Sequence, residues 1–306
     1  MQPLLIDCDP GLDDAAALAL AWAAPELSIE AVTTVAGNQT LEKTTRNARA
    51  VLEAIGCQAV SVSPGLASPL LGQLAVADEV HGQSGIGGLE LPAVEGTTRP
   101  DHAVDRLWKV ASTLDQPVLA ALGPLTNLAV CLRRYPELPS VLEQVVIMGG
   151  AIADGNVTPV AEFNVHTDPE AARIVFESDL EVTMVGLDVT RAARVGDATR
   201  DRLLDRATRE ASLVADVITE LQPLHSRRDG WETVPLHDAL AIASLIDPSL
   251  LETEPMAVSV ETRGEFTTGM TVCERCPAGQ PTAQVATGVD ADGFRDRLCE
   301  VLGATG

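Results

Sequence analysis

Short apolar runs alternate with longer helical patterns along most of the chain. The runs at 3–6, 29–35, 59–63, 118–122, 145–148 and 182–187 predict strands; several are β-branched and bounded by turn residues. Between them, 13–24, 40–55, 103–114, 125–134 and 169–177 carry helical spacing. The first of these opens with Asp, which suits the helix dipole, and the second stops at Gly56. Residues 64–100 are Gly-rich and lack strong periodicity. The rhythm changes after 187. A long charged helical segment covers 197–221 and a shorter helix 237–246. Segments 256–261, 270–274 and 283–287 read as antiparallel strands with Gly and Pro turns, and 293–302 as a last helix.

Strand–helix alternation at this spacing predicts an α/β fold. We expect an open, mostly parallel, Rossmann-like sheet flanked by helices, with small additional antiparallel strands near the C-terminus. No repeat or linker interrupts the pattern, so 1–306 is read as a single domain.

Charge narrows the function. The chain has 44 acidic residues against 21 basic ones, a formal net charge of −23. A phosphate polymer needs clustered Lys and Arg, so no nucleic acid is expected as partner, and no anionic membrane surface for the same reason. A hydrophobic content of 46% with mean hydropathy +0.14 excludes a disordered chain. The longest apolar run, 15–24, stops at Pro25 and is too short to span a bilayer. No signal peptide is visible, and the six cysteines read as reduced thiols, so a cytoplasmic location is expected. Cys273 and Cys276 have metal spacing, but no second soft pair lies nearby, and a hairpin role is expected for them.

Candidate chemistry concentrates at the first strand–helix junction. Asp7, Asp9, Asp13 and Asp14 place four carboxylates within eight residues around the Pro10-Gly11 turn. Like charges this close repel one another, and a hard cation such as Ca²⁺ or Mg²⁺ removes the conflict. Other polar groups also follow strand ends: Thr33 to Asn38, Gly123 to Asn127, Met148 to Gly150, and Asp188. In open α/β sheets that rim is where ligands bind.

These segments resemble the nucleoside hydrolases of the inosine–uridine-preferring type. The resemblance spans essentially the whole chain. It is carried by 7–14 (DCDPGLDD), 33–40 (TTVAGNQT), 81–85 (HGQSG), 123–127 (GPLTN), 146–150 (VIMGG), 161–164 (AEFN) with 168–172 (DPEAA), and His237-Asp238. It implies hydrolysis of the N-glycosidic bond of ribonucleosides to ribose and free base. The implied cofactor is Ca²⁺, held by Asp9, Asp14, the Thr126 carbonyl and Asp238, with Asp9 as general base on a calcium-bound water. Asp13, Asn38, Met148, Asn156, Glu162 and Asn164 would hold the sugar. His237, whose imidazole can be charged near neutral pH, would face the base and help it leave as the second catalytic residue, and His81 would face the base as well. The resemblance also implies a homodimer or homotetramer. A departure lies before His237: where some members carry tyrosines, this chain has Leu224 to Glu232, including His225 and Trp231. Trp231 is a candidate to stack on a base, and base preference is left open.

Two other readings compete. In a haloacid-dehalogenase-type phosphatase Asp7 would be the nucleophile and Asp9 the acid, but that reading leaves Asp13-Asp14 and His237-Asp238 without a role. A non-catalytic calcium-dependent nucleoside- or sugar-binding protein would share the metal and ribose contacts.

Overall fold

The computed structural model describes residues 1–94, 101–275 and 280–304. Cys276 lies outside the described residues, and with it the expected 273–276 pair. The other five cysteines are free thiols.

Among the described residues eleven strands form: β1 (Gln2–Cys8), β2 (Leu27–Thr34), β3 (Val62–Pro64), β4 (Val118–Ala121), β5 (Gln144–Met148), β6 (Val182–Val185), β7 (Arg194–Val195), β8 (Val234–Pro235), β9 (Leu251–Val260), β10 (Thr271–Arg275) and β11 (Ala283–Val289). Nine of them make one sheet in the order β10-β9-β11-β6-β5-β4-β1-β2-β3. From β3 to β6 every pairing is parallel, and β11 continues parallel on β6. Strand β9 runs antiparallel to both β11 and β10. This is the expected mostly parallel sheet with antiparallel strands near the C-terminus.

Side-chain alternation divides the core into two layers. Leu4, Ile6 and Cys8 of β1 face one layer, as do Val146 and Met148 of β5. Leu5, Val145 and Ile147 face the other. Helices Leu12–Ala23, Leu41–Ala54, Arg209–Asp229, His237–Ile246 and Ala291–Leu302 cover the first face. Helices Ala103–Ala111, Thr126–Arg134 and Pro169–Phe176 cover the second. Strands buried on both faces have no polar side to expose, which explains their continuous apolar runs.

The order β3-β2-β1-β4-β5-β6 reverses direction between β1 and β4. The connections after these two strands leave toward opposite flanks and open a crevice at their carboxyl ends. The acidic junction of 7–14 falls there.

Three expectations are corrected. The 197–221 segment is two helices, Asp197–Leu204 and Arg209–Asp229. Ala207 takes a left-handed φ of 57° between them, and the Thr208 hydroxyl accepts the Ala211 amide at 3.1 Å to start the second. That helix runs through Pro223, because its buried stripe of Val214, Val217, Ile218, Leu221 and His225 continues across the proline. The predicted 182–187 strand stops at Val185, where Gly186 caps a short helix, Leu187–Thr190. In the part of 64–100 that is described, helix Asp78–His81 places His81.

Candidate active site

The floor of the site is built from the turn after β1. Asp9 is 1% exposed, and its Oδ2 accepts the Asn38 backbone amide at 2.6 Å. Its Oδ1 is buried with no hydrogen-bond partner. Asp14 is fully buried at the start of helix Leu12–Ala23; its Oδ2 accepts from the Gly11 amide at 2.8 Å and from Asn38 Nδ2 at 3.2 Å. Asn38 Nδ2 also donates to the Asp9 carbonyl at 3.2 Å, so one amide ties the two acids together. Asp238 enters from the first turn of helix His237–Ile246. Oxygens of Asp13, Asp14 and Asp238 lie within 4.8 Å of one another.

Burial and mutual repulsion act on the Asp9, Asp14 and Asp238 carboxyls of this floor. Burial, then the charge of neighbouring Asp14, drives Asp9 well above the usual carboxylate range. Burial and the Asp13 charge raise Asp14 to about 7 and lift Asp238 well above its ordinary value. The unpartnered Asp9 and Asp13 oxygens and the crowded, all-oxygen donor set fit a hard divalent ion. The geometric trio contains Asp13 and not Asp9, whose free oxygen stands deeper in the turn. Thr126 is buried at the start of its helix, with its hydroxyl bonded to Asp168 Oδ2 at 2.7 Å.

Above the floor is a pocket lined by Asp13, Asn38, His81, Met148, Asn156, Glu162, Asn164, His237 and Asp238, among others. Nine of the residues singled out by sequence therefore meet in one cavity. Two also brace it. Glu162 caps helix Phe163–Thr167 by accepting the Asn164 and Val165 amides, and it holds the Gly150 amide at 3.0 Å. Asn164 Nδ2 donates to the Leu122 carbonyl at 2.7 Å and the Met148 carbonyl at 3.0 Å, stitching the ends of β4 and β5.

The pocket wall also carries imidazoles. His81 Nδ1 accepts the Leu12 amide at 3.2 Å, which leaves Nε2 as the protonated nitrogen of the neutral ring. His237 Nδ1 lies 2.7 Å from the Thr190 hydroxyl. Burial pushes His237 down to about 4, which favours the neutral imidazole. Burial lowers His81 as well.

His225, beyond the helix expected over 197–221, sits on helix Arg209–Asp229, is 5% exposed and lines the pocket, as does Arg228. Trp231 is not among the lining residues. Its ring stacks behind His225, 5.8 Å between centroids and nearly parallel, with the Arg194 guanidinium 4.4 Å over it. Asp7 points into the sheet, where Thr33 Oγ1 donates to it at 2.5 Å and Asn127 Nδ2 at 2.8 Å. It is 1% exposed and outside the pocket, in no position to be a nucleophile.

A doubly wound sheet with a carboxylate-floored pocket at its switch point defines an α/β enzyme of small polar substrates. A family model described as "Inosine-uridine preferring nucleoside hydrolase" matches residues 4–296. The chain belongs to that family and is a hydrolase of the N-glycosidic bond of ribonucleosides. It is 43% identical over 304 residues to the pyrimidine-specific ribonucleoside hydrolase RihA of Salmonella paratyphi B, covering 98% of each chain. Among solved structures it resembles a plant nucleoside hydrolase, PpNRh1 (TM-score 0.94, 31% identity, 99% of each chain). It also resembles a purine-preferring ribonucleoside hydrolase from Gardnerella vaginalis (TM-score 0.93, 31% identity, 99% and 98% covered).

Proposed function

We propose that this pocket seats the ribose on its acidic floor and the base against its imidazole wall. The observation that carries the reading is the lining of the cavity, which brings carboxylates (Asp13, Glu162, Asp238) and imidazoles (His81, His225, His237) into one pocket. Cleavage of the C1′–N bond makes the sugar oxocarbenium-like and the base anionic. The carboxylates suit the first charge and the imidazole and guanidinium N–H donors the second.

In this reading Asp9 takes a proton from the attacking water. Asp13, Asn38, Asn156, Glu162 and Asn164 hold the sugar hydroxyls, and Met148 packs beside them. His237 and His81 offer neutral N–H groups to the departing base. The residues proposed to hold Ca²⁺ are Asp9, Asp14, the Thr126 carbonyl and Asp238, with Asp13 at their side. When bound, such an ion would orient the ribose diol and acidify water. Trp231 supports the base wall from behind His225 instead of contacting the base.

The 43% relative's pyrimidine specificity supports placing uridine and cytidine first among substrates. Residues 1–306 are proposed to act as one unit, since the large sheet draws strands from Gln2 to Val289. Among the described residues no helix is long and apolar enough to cross a membrane. A cytoplasmic homodimer or homotetramer is our further proposal, to be checked by fractionation and analytical ultracentrifugation.

The deciding experiment incubates the chain with uridine, cytidine, inosine and adenosine and measures free ribose. Ribose from at least one supports the reading. Ligand binding without ribose release would favour a binding protein.

A further inference from the structure

One charged side chain in the pocket has no role in the account above. Arg228 is the one Arg or Lys among the described residues lining the cavity. Its Nε donates to both oxygens of Asp229, at 3.1 and 3.2 Å. Asp229 is fixed in turn by His225 Nδ1 at 2.7 Å, and His225 by the stacked Trp231. The guanidinium is therefore held by its inner nitrogen. Neither terminal nitrogen, Nη1 or Nη2, has a hydrogen-bond partner among the described residues. The side chain is 46% exposed, which keeps those donors at the open end of the pocket.

The position matches where charge appears in the reaction. Arg228 stands one turn beyond His225 on helix Arg209–Asp229, and both line the pocket together with His81 and His237, the imidazoles assigned to the base. A departing base leaves with the electron pair of the broken bond, and in oxo-bases that charge spreads onto carbonyl oxygen. A guanidinium offers donors only and no acceptor. It pairs with a carbonyl oxygen, and it pairs more strongly as that oxygen becomes anionic.

We propose that Arg228 is a catalytic residue for leaving-group departure, donating from its terminal nitrogens to a carbonyl oxygen of the base, with Asp229, His225 and Trp231 as its positioning residues. The inference rests on the nucleoside-hydrolase reading of the pocket. In the step, the water oxygen bonds to C1′ and one water proton passes to Asp9. The C1′–N bond breaks, and its electron pair leaves with the base on Arg228. The base anion then takes up one proton from solvent water and Asp9 releases its proton to solvent, so nucleoside and water give ribose and neutral base.

The test compares uridine with p-nitrophenyl β-D-ribofuranoside, whose leaving group is a stable anion without help. Wild type, Arg228→Met and Arg228→Lys are assayed on both, and their thermal melts are compared. We expect Arg228→Met to lose about a hundred-fold in kcat on uridine and under about three-fold on the nitrophenyl riboside, with Arg228→Lys in between on uridine. Equal losses on both substrates, or no loss on uridine, would overturn the proposal while leaving nucleoside hydrolysis in place. A wild-type enzyme that releases no ribose from any ribonucleoside would sink the parent reading and this one with it.

Discussion

Asp9 is seated by the absence of neighbouring side chains. A Cβ on Gly37 would collide with its Oδ2, and one on Gly123 would stand 2.6 Å from its Oδ1. Gly123→Ala therefore has to move the carboxylate. We expect it to lower kcat for ribose release by about a hundred-fold, since misplacing a reacting group by about 1 Å has that cost. Asp9→Ala should remove turnover almost completely while the melt stays cooperative. Retention of wild-type kcat in either variant would refute Asp9 as the base. These residues were legible because they fall in short motifs. His225 was not, because Pro223 reads locally as a helix stop while burial farther along the stripe overrides it. Its environment has a pH signature. Burial chiefly, with the Arg228 charge, lowers the His225 pKa, against the opposing Asp229 hydrogen bond. A depressed histidine stabilises the fold above its unfolded pKa of about 6.5 and loses that contribution as pH falls through it. The wild-type melting temperature should drop more between pH 7.5 and 5.5 than that of His225→Gln. Parallel drops would show that His225 is not held neutral by the fold.

One short element ties two parts of the pocket together. Within helix Leu187–Thr190, Asp188 accepts the Ile152 and Ala153 amides at 2.7 and 3.1 Å. Arg191, just after it, donates to the Asp154 and Gly155 carbonyls at 2.9 and 2.7 Å. Four successive backbone groups are gripped immediately before Asn156, a pocket residue. Thr190 of the same turn holds His237. Arg191→Met should free the Asn156 loop without touching Asp9. We expect KM for uridine to rise by about ten-fold with kcat changed much less, the pattern of lost ground-state binding. A fall in kcat at constant KM would instead place the loop in the chemical step. The sequence marked Asp188 at the sheet rim but ran the preceding strand through 187, since Gly186-Leu187 looks apolar either way. The hydrogen bonds that define the turn come from 150–155, about 35 residues away, which no local window contains.

Across the whole molecule, the parallel half of the sheet was readable because strands buried on both faces repeat an apolar signature between helices. The strand order was not. It follows from which connection crosses to which flank, and it is this order that turns scattered strand-end polar residues into one cavity. The acidic excess divides accordingly: most of the carboxylates are a solvated surface, while Asp9, Asp13, Asp14, Glu162 and Asp238 cluster in or beneath the pocket. A buried cluster of that sign opposes folding unless a cation joins it, so the folded state should bind calcium and the unfolded chain should not. Ligand at a hundred times its Kd then adds about 2.7 kcal/mol to stability. Exhaustive chelation should lower the melting temperature by a few degrees and abolish ribose release, and added Ca²⁺ should restore both. Asp14→Asn removes one charge from the floor and one oxygen ligand together. Its melting temperature should respond little to either chelator or calcium, even though its activity is gone. A wild-type melt indifferent to chelation, with ribose still released and no calcium found by elemental analysis, would show that the floor carries its charge without a metal.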